Sequence, residues 1–295
     1  MKIKECKPLV SVIVITYNSS LTVLDTLESI KKQTYRNIEL IVTDDCSTDD
    51  TCSIVACWLE NNKNTFKRAV LIKTLKNGGP AVNCNHGIKN ALGEWSKVIA
   101  ADDILLPDCI KQNVDYVNNH GEIQILFSKV NYFSELDNSA FSQDGVNWNF
   151  WKLTARQQHY LILLDNWITA PSQFIRKDVW EYLGGFDESI PFIEDWPFWI
   201  KAYNAGVKFG FLDEPTVKYR IHESLSSTCS PSPLFSESLK LAYKYAHRCQ
   251  YNVSPLLRFY SFVRDDVKFN VIKKILFAMN PYYWYIKHVN SLVNI

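Results

Sequence analysis

Two pairs of adjacent aspartates stand at the ends of apolar runs: Asp44 and Asp45 after "IELIVT", and Asp102 and Asp103 after "KVIAA". Like charges side by side disfavour each other, and burial disfavours both. A chain that keeps them there must supply hydrogen-bond donors or a cation. Hard carboxylate oxygens beside a phosphate suit Mg2+ or Mn2+. Two further polar groups follow apolar patterns: "TYN", carrying Tyr17, after "LVSVIVI", and "IEDW", carrying Glu194 and Asp195, at the start of a helical pattern. Each has a plain structural reading when taken alone. Asp44, Asp45, Asp108 and Asp195 suit helix caps, Asp102 and Asp103 suit a turn, and Tyr17 suits an ordinary surface or core aromatic. Their recurrence at successive strand ends points to a site, because ligands of open parallel sheets bind outside the carboxyl ends of the strands.

The elements that must position them alternate. "LVSVIVIT", "IELIVT", "AVLIKT" and "WSKVIAA" read as strands. Between them lie helical patterns: "SLTVLDTLESIKKQ", with Leu21, Leu24, Leu27 and Ile30 on one face, "TCSIVACWLENN", with Ser47 or Asp49 as its cap, and "PAVNCNHGIKNAL", opened by Pro80. Strands of this kind alternating with helices predict an α/β fold, a mostly parallel Rossmann-like sheet flanked by helices. Beyond Pro107 the alternation loosens. A helix and strand lead through "EIQILFS" into an aromatic, irregular region over residues 130–167. "SQFIRKDVWEYLGGFDE" then predicts a strand, a helix and a glycine turn, "EDWPFWIKAYNAG" a helix closed by Gly206, and "VKFGFLDEPTVKYRIH" two strands. The economical division is one domain over residues 1–228, with halves of about 1–110 and 111–228, and a helical, aromatic and basic extension over 229–295.

Composition narrows the class. The chain has 295 residues, 47% of them apolar, and a formal net charge of +1. That supports a sizeable core and argues against a general nucleic-acid binder. Eight cysteines form no CxxC pair. Cys46, Cys52, Cys57, Cys84 and Cys109 fall within predicted elements as small buried thiols, so a reduced, cytosolic compartment is expected. The N-terminal apolar run is short and lacks a small-residue cleavage site, and no run approaches the length of a membrane span.

In order and spacing, "VSVIVITYN", "IELIVTDDCSTDDT", "NGGPAVNCNHGIKNALGEW", "IAADDILLP", "FIRKDVWEYLGGFDES" and "FIEDWPFWIKAYNAG" resemble the inverting family 2 glycosyltransferases of the GT-A fold. The resemblance spans residues 8–227 and implies a UDP-sugar donor. It places Tyr17 against the uracil, Asp45 on the base, Asp102 near the ribose or donor sugar, and Asp103 on a divalent cation, Mn2+ or Mg2+. Asp195 matches the general base, with Glu194 as the next candidate. His222 matches a histidine that approaches the metal or diphosphate, and Arg220 lies beside it in sequence. Where the family often carries "ARN", this chain has "NCN", with Cys84 in place of a basic residue. Neutralising the diphosphate then falls to the cation, Lys76, Arg220 or His222.

The resemblance also implies the acceptor, a lipid-linked (undecaprenyl-diphosphate) sugar of O-antigen or capsule synthesis. Basic and aromatic residues of the tail, Arg258, Arg264, Lys268, Lys273, Lys274 and Lys287 among them, suit peripheral contact with an anionic membrane on the cytoplasmic face. A classical dinucleotide fold expects a GxGxxG after the first strand, and none is present. A receiver domain expects its acids after other strands. A nucleotidyltransferase expects a Gly-rich, basic loop after the first strand. A non-catalytic sugar-nucleotide or carbohydrate-binding subunit has no need of Asp45, Asp102, Asp103 and Asp195 together.

Overall fold

Every residue of Val10–Thr16 except Ser11 is β-branched, and this run forms the central strand β1. In the computed structural model, residues 7–134, 140–141, 148–221 and 232–253 are described, together with isolated positions between 255 and 288. β1 pairs in parallel with β2 (Ile38–Asp44) on one side and β4 (Trp95–Ala100) on the other, and β3 (Arg68–Lys73) extends the sheet in parallel beyond β2. The crossovers are α1 (Val23–Lys31), α2 (Thr51–Asn62) and α3 (Pro80–Asn90).

Beyond β4 the sheet becomes mixed. β5 is Ile104–Leu105, β6 Ile125–Phe133, β7 Ala140–Phe141, β8 Phe174–Arg176 and β9 Phe209–Arg220, in the order β3-β2-β1-β4-β8-β6-β9-β5, with β7 on β6. β8 runs antiparallel to β4 and β6, while β9 runs parallel to β6 and antiparallel to β5. Residues 207–222 were expected to give two strands. They give one, because a register shift opposite Ser128 and Lys129 absorbs Asp213–Glu214 and lets the strand continue.

Both sheet faces are covered. Ile13, Ile41 and Val98 face a core shared with α3, α6 (Lys177–Leu183) and α7 (Asp195–Asn204). Val12, Val14, Leu40, Val42 and Ile99 face a second core under α1, α2 and α4 (Cys109–Asn119). Lys97, in the middle of β4, is fully buried, and its ammonium has no hydrogen-bond partner among the described residues. Burial lowers its pKa against the pull of Cys109 and Asp103.

Three local expectations change. Leu21 precedes α1 and is exposed, and Leu24 faces outward; Val23, Thr26, Leu27 and Ile30 form the buried face instead. Asp50, not Ser47 or Asp49, stands at the N-cap of α2. Cys46 lies in a loop at a left-handed φ of 63°, and Cys57 is exposed, so only Cys84 and Cys109 of the five are buried thiols. The irregular aromatic region contains a regular element, α5 (Ala155–Ile162), opened by a capping box between Thr154 and Gln157. A helical C-terminal part is present as α8 (Pro233–Val253), which packs on α7 with Trp196 and Tyr243 edge to face at 4.9 Å. Among the described residues no helix is long and apolar enough to cross a membrane.

Close approach of α3 to β1 brings the "NCN" segment over the sheet, and Gly87 permits it. A Cβ there would lie 2.3 Å from Cγ2 of Ile13, a rigid, fully buried side chain. Gly87→Ala is expected to destabilise the domain by about 1–3 kcal/mol, as overpacked cores do. A lowered midpoint in chemical unfolding checks this; an unchanged midpoint would mean that α3 shifts freely.

Candidate active site

The first acid pair divides its labour. Asp44 ends β2, and its carboxylate accepts from Thr16 Oγ1 at 2.7 Å, Ser47 N at 2.8 Å and Ser47 Oγ at 2.6 Å. Burial pushes its pKa up, but donors from Ser47, Cys52 and Thr16 outweigh this and hold it below the usual range. Asp45 reaches the other way, accepting from Gly78 N at 2.9 Å and Gly79 N at 2.8 Å in the loop after β3. Gly79 has a φ of 85°, a left-handed conformation that glycine adopts without strain. Tyr17, just past β1, is half exposed on the same rim, and Asn18 beside it receives Thr48 N at 2.9 Å. Loops after three parallel strands are thereby tied into one edge.

The second pair follows β4. Asp103 is 1% exposed, and its Oδ1 accepts Arg220 N at 2.9 Å from the end of β9. Its other oxygen has no hydrogen-bond partner among the described residues. Burial, then the charge of Asp102, push the Asp103 carboxyl well above the usual carboxylate range. The Arg220 side chain is engaged three ways. Its Nε donates to the Asp102 carbonyl at 2.7 Å, its Nη2 donates to Asp25 Oδ2 at 3.2 Å, and its guanidinium lies 4.7 Å from the Phe133 ring centroid.

Asp195 opens α7 across from these residues. Its Oδ2 accepts Asn166 Nδ2 at 2.9 Å, and its Oδ1 accepts Trp196 N at 2.7 Å. Burial raises its pKa, and these donors oppose the rise. Glu194 receives no hydrogen bond from another described side chain or amide. Burial and then the Asp195 charge push its carboxyl up to about 8.

Asp102, Asp103, Glu194, Asp195, Tyr219 and Arg220 line one cleft of ≈ 230 Å³, with Cys84 on its floor. The structure therefore brings together four of the expected site residues, Asp102, Asp103, Asp195 and Arg220, and adds Glu194 from the same helix start. Tyr17 and Asp45 lie on the adjoining rim after β1 and β2 and do not line this cleft. His222 lies outside the described residues. Asn166 and Tyr219 were not anticipated. Asn166 sits in the aperiodic "LLDNWITAPSQ", where only its spatial approach to Asp195 marks it, and Tyr219 is hidden within an ordinary strand pattern.

Among the described residues no cluster of three or more His, Cys, Asp or Glu side chains is arranged to hold a metal ion. The donors present still fit a divalent cation of the Mg2+ type. Such ions take one or two carboxylates and complete their shell with water and substrate phosphates. Asp103 offers an unengaged oxygen, and Asp102 lines the cleft beside it.

The family model "Glycosyl transferase family 2" matches residues 11–183. WfaP of Escherichia coli, a UDP-Glc:alpha-D-GlcNAc-diphosphoundecaprenol beta-1,3-glucosyltransferase, is 30% identical over 216 residues, covering 72% of this chain and 78% of that protein. The crystal structure of a Staphylococcus aureus TarS fragment with UDP-GlcNAc superposes with a TM-score of 0.64 at 22% identity, covering 96% of this chain and 83% of that one. The mannosyltransferase PcManGT of Pyrobaculum calidifontis, solved with GDP-Man and Mn2+, gives 0.59 at 17% identity, covering 98% and 85%. At such identities the structural likeness speaks to the fold, which is GT-A. A family match over more than half of the sequence, carried on that fold, makes this chain a member of glycosyl transferase family 2.

Proposed function

We propose that the chain is a metal-dependent, inverting hexosyltransferase that moves a sugar from a UDP-sugar to a lipid-linked, undecaprenyl-diphosphate saccharide in O-antigen or capsule synthesis. One observation carries the reading: the acid pair after β4 and the acid pair opening α7 face a single cleft. Inversion needs the leaving group and the proton acceptor on opposite sides of the reacting carbon, and two separate acidic walls provide for that. WfaP, whose name states a UDP-glucose donor and a diphosphoundecaprenol acceptor, supports the choice of both substrates. The acceptor would be met at the membrane surface on the cytoplasmic side, with the basic, aromatic C-terminal residues 229–295 in peripheral contact.

In this reading Tyr17 packs on the uracil, and Asp45 braces Gly78 and Gly79 so that the rim matches the base. Asp102 and Asp103 hold the cation, with His222 as a further ligand from outside the described residues. The ion, when bound, stabilises the negative charge that develops on the departing diphosphate. Arg220 fixes Asp103 through its amide and the Asp102 carbonyl through its side chain. Asp195, oriented by Asn166, takes the proton of the acceptor hydroxyl as that oxygen attacks. Its raised pKa makes it a stronger base than an exposed aspartate.

The deciding assay measures UDP release from a panel of nucleotide sugars, with a lipid-linked acceptor and with or without Mn2+. Chelation of divalent ions is expected to abolish transfer, and Mn2+ to restore it; full transfer in a chelator would rule out the metal-dependent form. Asp195→Asn keeps the hydrogen bond to Asn166 possible and removes basicity. Its turnover is expected to fall by roughly a hundred- to ten-thousand-fold, with UDP affinity near that of the parent in calorimetry. Near-normal turnover would remove Asp195 as the base. Because burial raises the Asp195 pKa, the base loses its charge as pH falls, and kcat is expected to decline on the acid side at a pH above the ordinary aspartate range. Tyr17→Ala and Asp45→Ala are both expected to weaken UDP binding. Only Asp45→Ala should also lower thermal stability, since it removes the acceptor of the Gly78 amide and leaves Gly79 N with Asn77 Oδ1 alone.

A further inference from the structure

The cleft that holds both acid pairs also carries a neutral side chain that the fold leaves unsatisfied. A short 3-10 turn, Ala170–Ser172, delivers Gln173 to the start of β8. Phe174 packs in the core under α1, α2 and α4, and Ile175 in the core shared with α3, α6 and α7. Alternation along the strand gives Gln173 the same face as Ile175, and there it lines the cleft with Cys84, Asp103 and Asp195. Gln173 is 4% exposed. Its Oε1 is buried without a donor, and its Nε2 meets no acceptor among the described residues. Buried amides are almost always paired, and an unpaired one costs folding free energy. Such a group kept in the wall of a cleft points to a ligand that pairs with it.

The rest of the lining says what that ligand is. Asp102, Asp103, Glu194 and Asp195 bring acids, and Arg220 is committed to Asp25, the Asp102 carbonyl and the Phe133 ring. A sugar with its own carboxylate would meet like charge there. A hydroxyl suits the lining better, because it gives a proton to a carboxylate and keeps lone pairs for a donor. Among the side chains of the lining, the uncommitted N–H and O–H donors are the Gln173 amide and the Tyr219 hydroxyl, which also has no hydrogen-bond partner among the described residues. We infer that Gln173 is a specificity-determining residue whose side-chain amide hydrogen-bonds a hydroxyl of an uncharged sugar, the one being transferred. That sugar has to lie between the acid pair after β4 and the acid pair of α7 for its anomeric carbon to be attacked, and Gln173 belongs to the same lining. A sugar with the hydroxyl completes the amide. A deoxy sugar leaves it unpaired, and a site built this way discriminates sharply against the missing group.

This rests on the transferase reading, and the test reads binding, stability and turnover separately. UDP, UDP-glucose, UDP-galactose and the two N-acetylhexosamine counterparts are titrated by calorimetry with Mn2+ present, and the tightest-binding nucleotide sugar is taken forward. Gln173→Met, close in volume and without the amide, is expected to bind UDP as the parent does and that nucleotide sugar roughly tenfold more weakly. The same variant, free of ligand, is expected to unfold at a higher temperature than the parent, because it removes a buried amide that nothing pairs. A glutamine with a purely structural role would give a lower temperature instead. On the unmodified protein, donors with each ring hydroxyl removed in turn are compared. One position is expected to cost roughly tenfold or more in kcat/KM, and in Gln173→Met the same position should cost nothing further. Equal weakening of UDP and nucleotide sugar, unchanged affinity for both, a lowered unfolding temperature, or a deoxy penalty that survives the substitution would each overturn the inference. So would a change confined to the acceptor KM, which would assign the amide to the acceptor. A parent that binds nucleotide sugar while the variant shows none of these shifts sinks this inference alone; a parent that binds none of the probes sinks the transferase reading with it.

Discussion

The site depends on one constraint: carboxylates gathered at strand ends must be met by donors, and this fold meets them with backbone amides. Asp44 accepts the amide of Ser47, Asp45 those of Gly78 and Gly79, Asp103 that of Arg220, and Asp195 that of Trp196. An amide does not move without its chain, so each bond fixes a loop as well as a charge. The bond from Asp45 draws the loop after β3 toward β2, and the bond from Asp103 sets the end of β9 against the turn after β4. The acids thus hold the rim in shape at the same time as they make it acidic.

The change from parallel to mixed pairing gives the rim its second wall. β8 and β6 carry the sheet past β4 with reversed polarity, and β9 returns along β6 to reach Asp103 from the far side. α7 then delivers Glu194 and Asp195 across the opening. Cys84 of α3 lines the cleft as an uncharged group, and burial keeps its thiol protonated. The cleft is consequently acidic on both sides, with its one lining guanidinium already paired.

Much of the N-terminal half was legible because period and placement agree there. Four apolar runs ended in polar groups, and a parallel sheet converts that pattern directly into a shared edge. The second half was harder to read for physical reasons. Residues 207–222 looked like two strands because Asp213, Glu214 and Pro215 interrupt the alternation, and only pairing with β6 shows that a bulge bridges them. Leu21 and Leu24 matched a helical spacing, but α1 starts two residues after Leu21, which rotates the buried face to Val23, Leu27 and Ile30. Asn166 carries no periodic signal, since its role comes from a contact made across 29 positions of sequence. The hydrogen bonds that Asp195 receives were invisible in "IEDW", because they follow from which neighbours come within reach.

Lys97 bears on how this sequence can change. A buried ammonium with no hydrogen-bond partner among the described residues costs desolvation that the attraction of Asp103 offsets only in part, and an uncharged side chain of similar volume fills such a space at less cost. The domain therefore stands below the stability its backbone permits. The margin above the unfolding threshold governs how many further substitutions a protein tolerates before it fails to fold. By retaining a lysine between the acid motif and α4, the chain narrows its own room for sequence drift, and replacing that one residue would widen the set of neighbouring sequences that still fold.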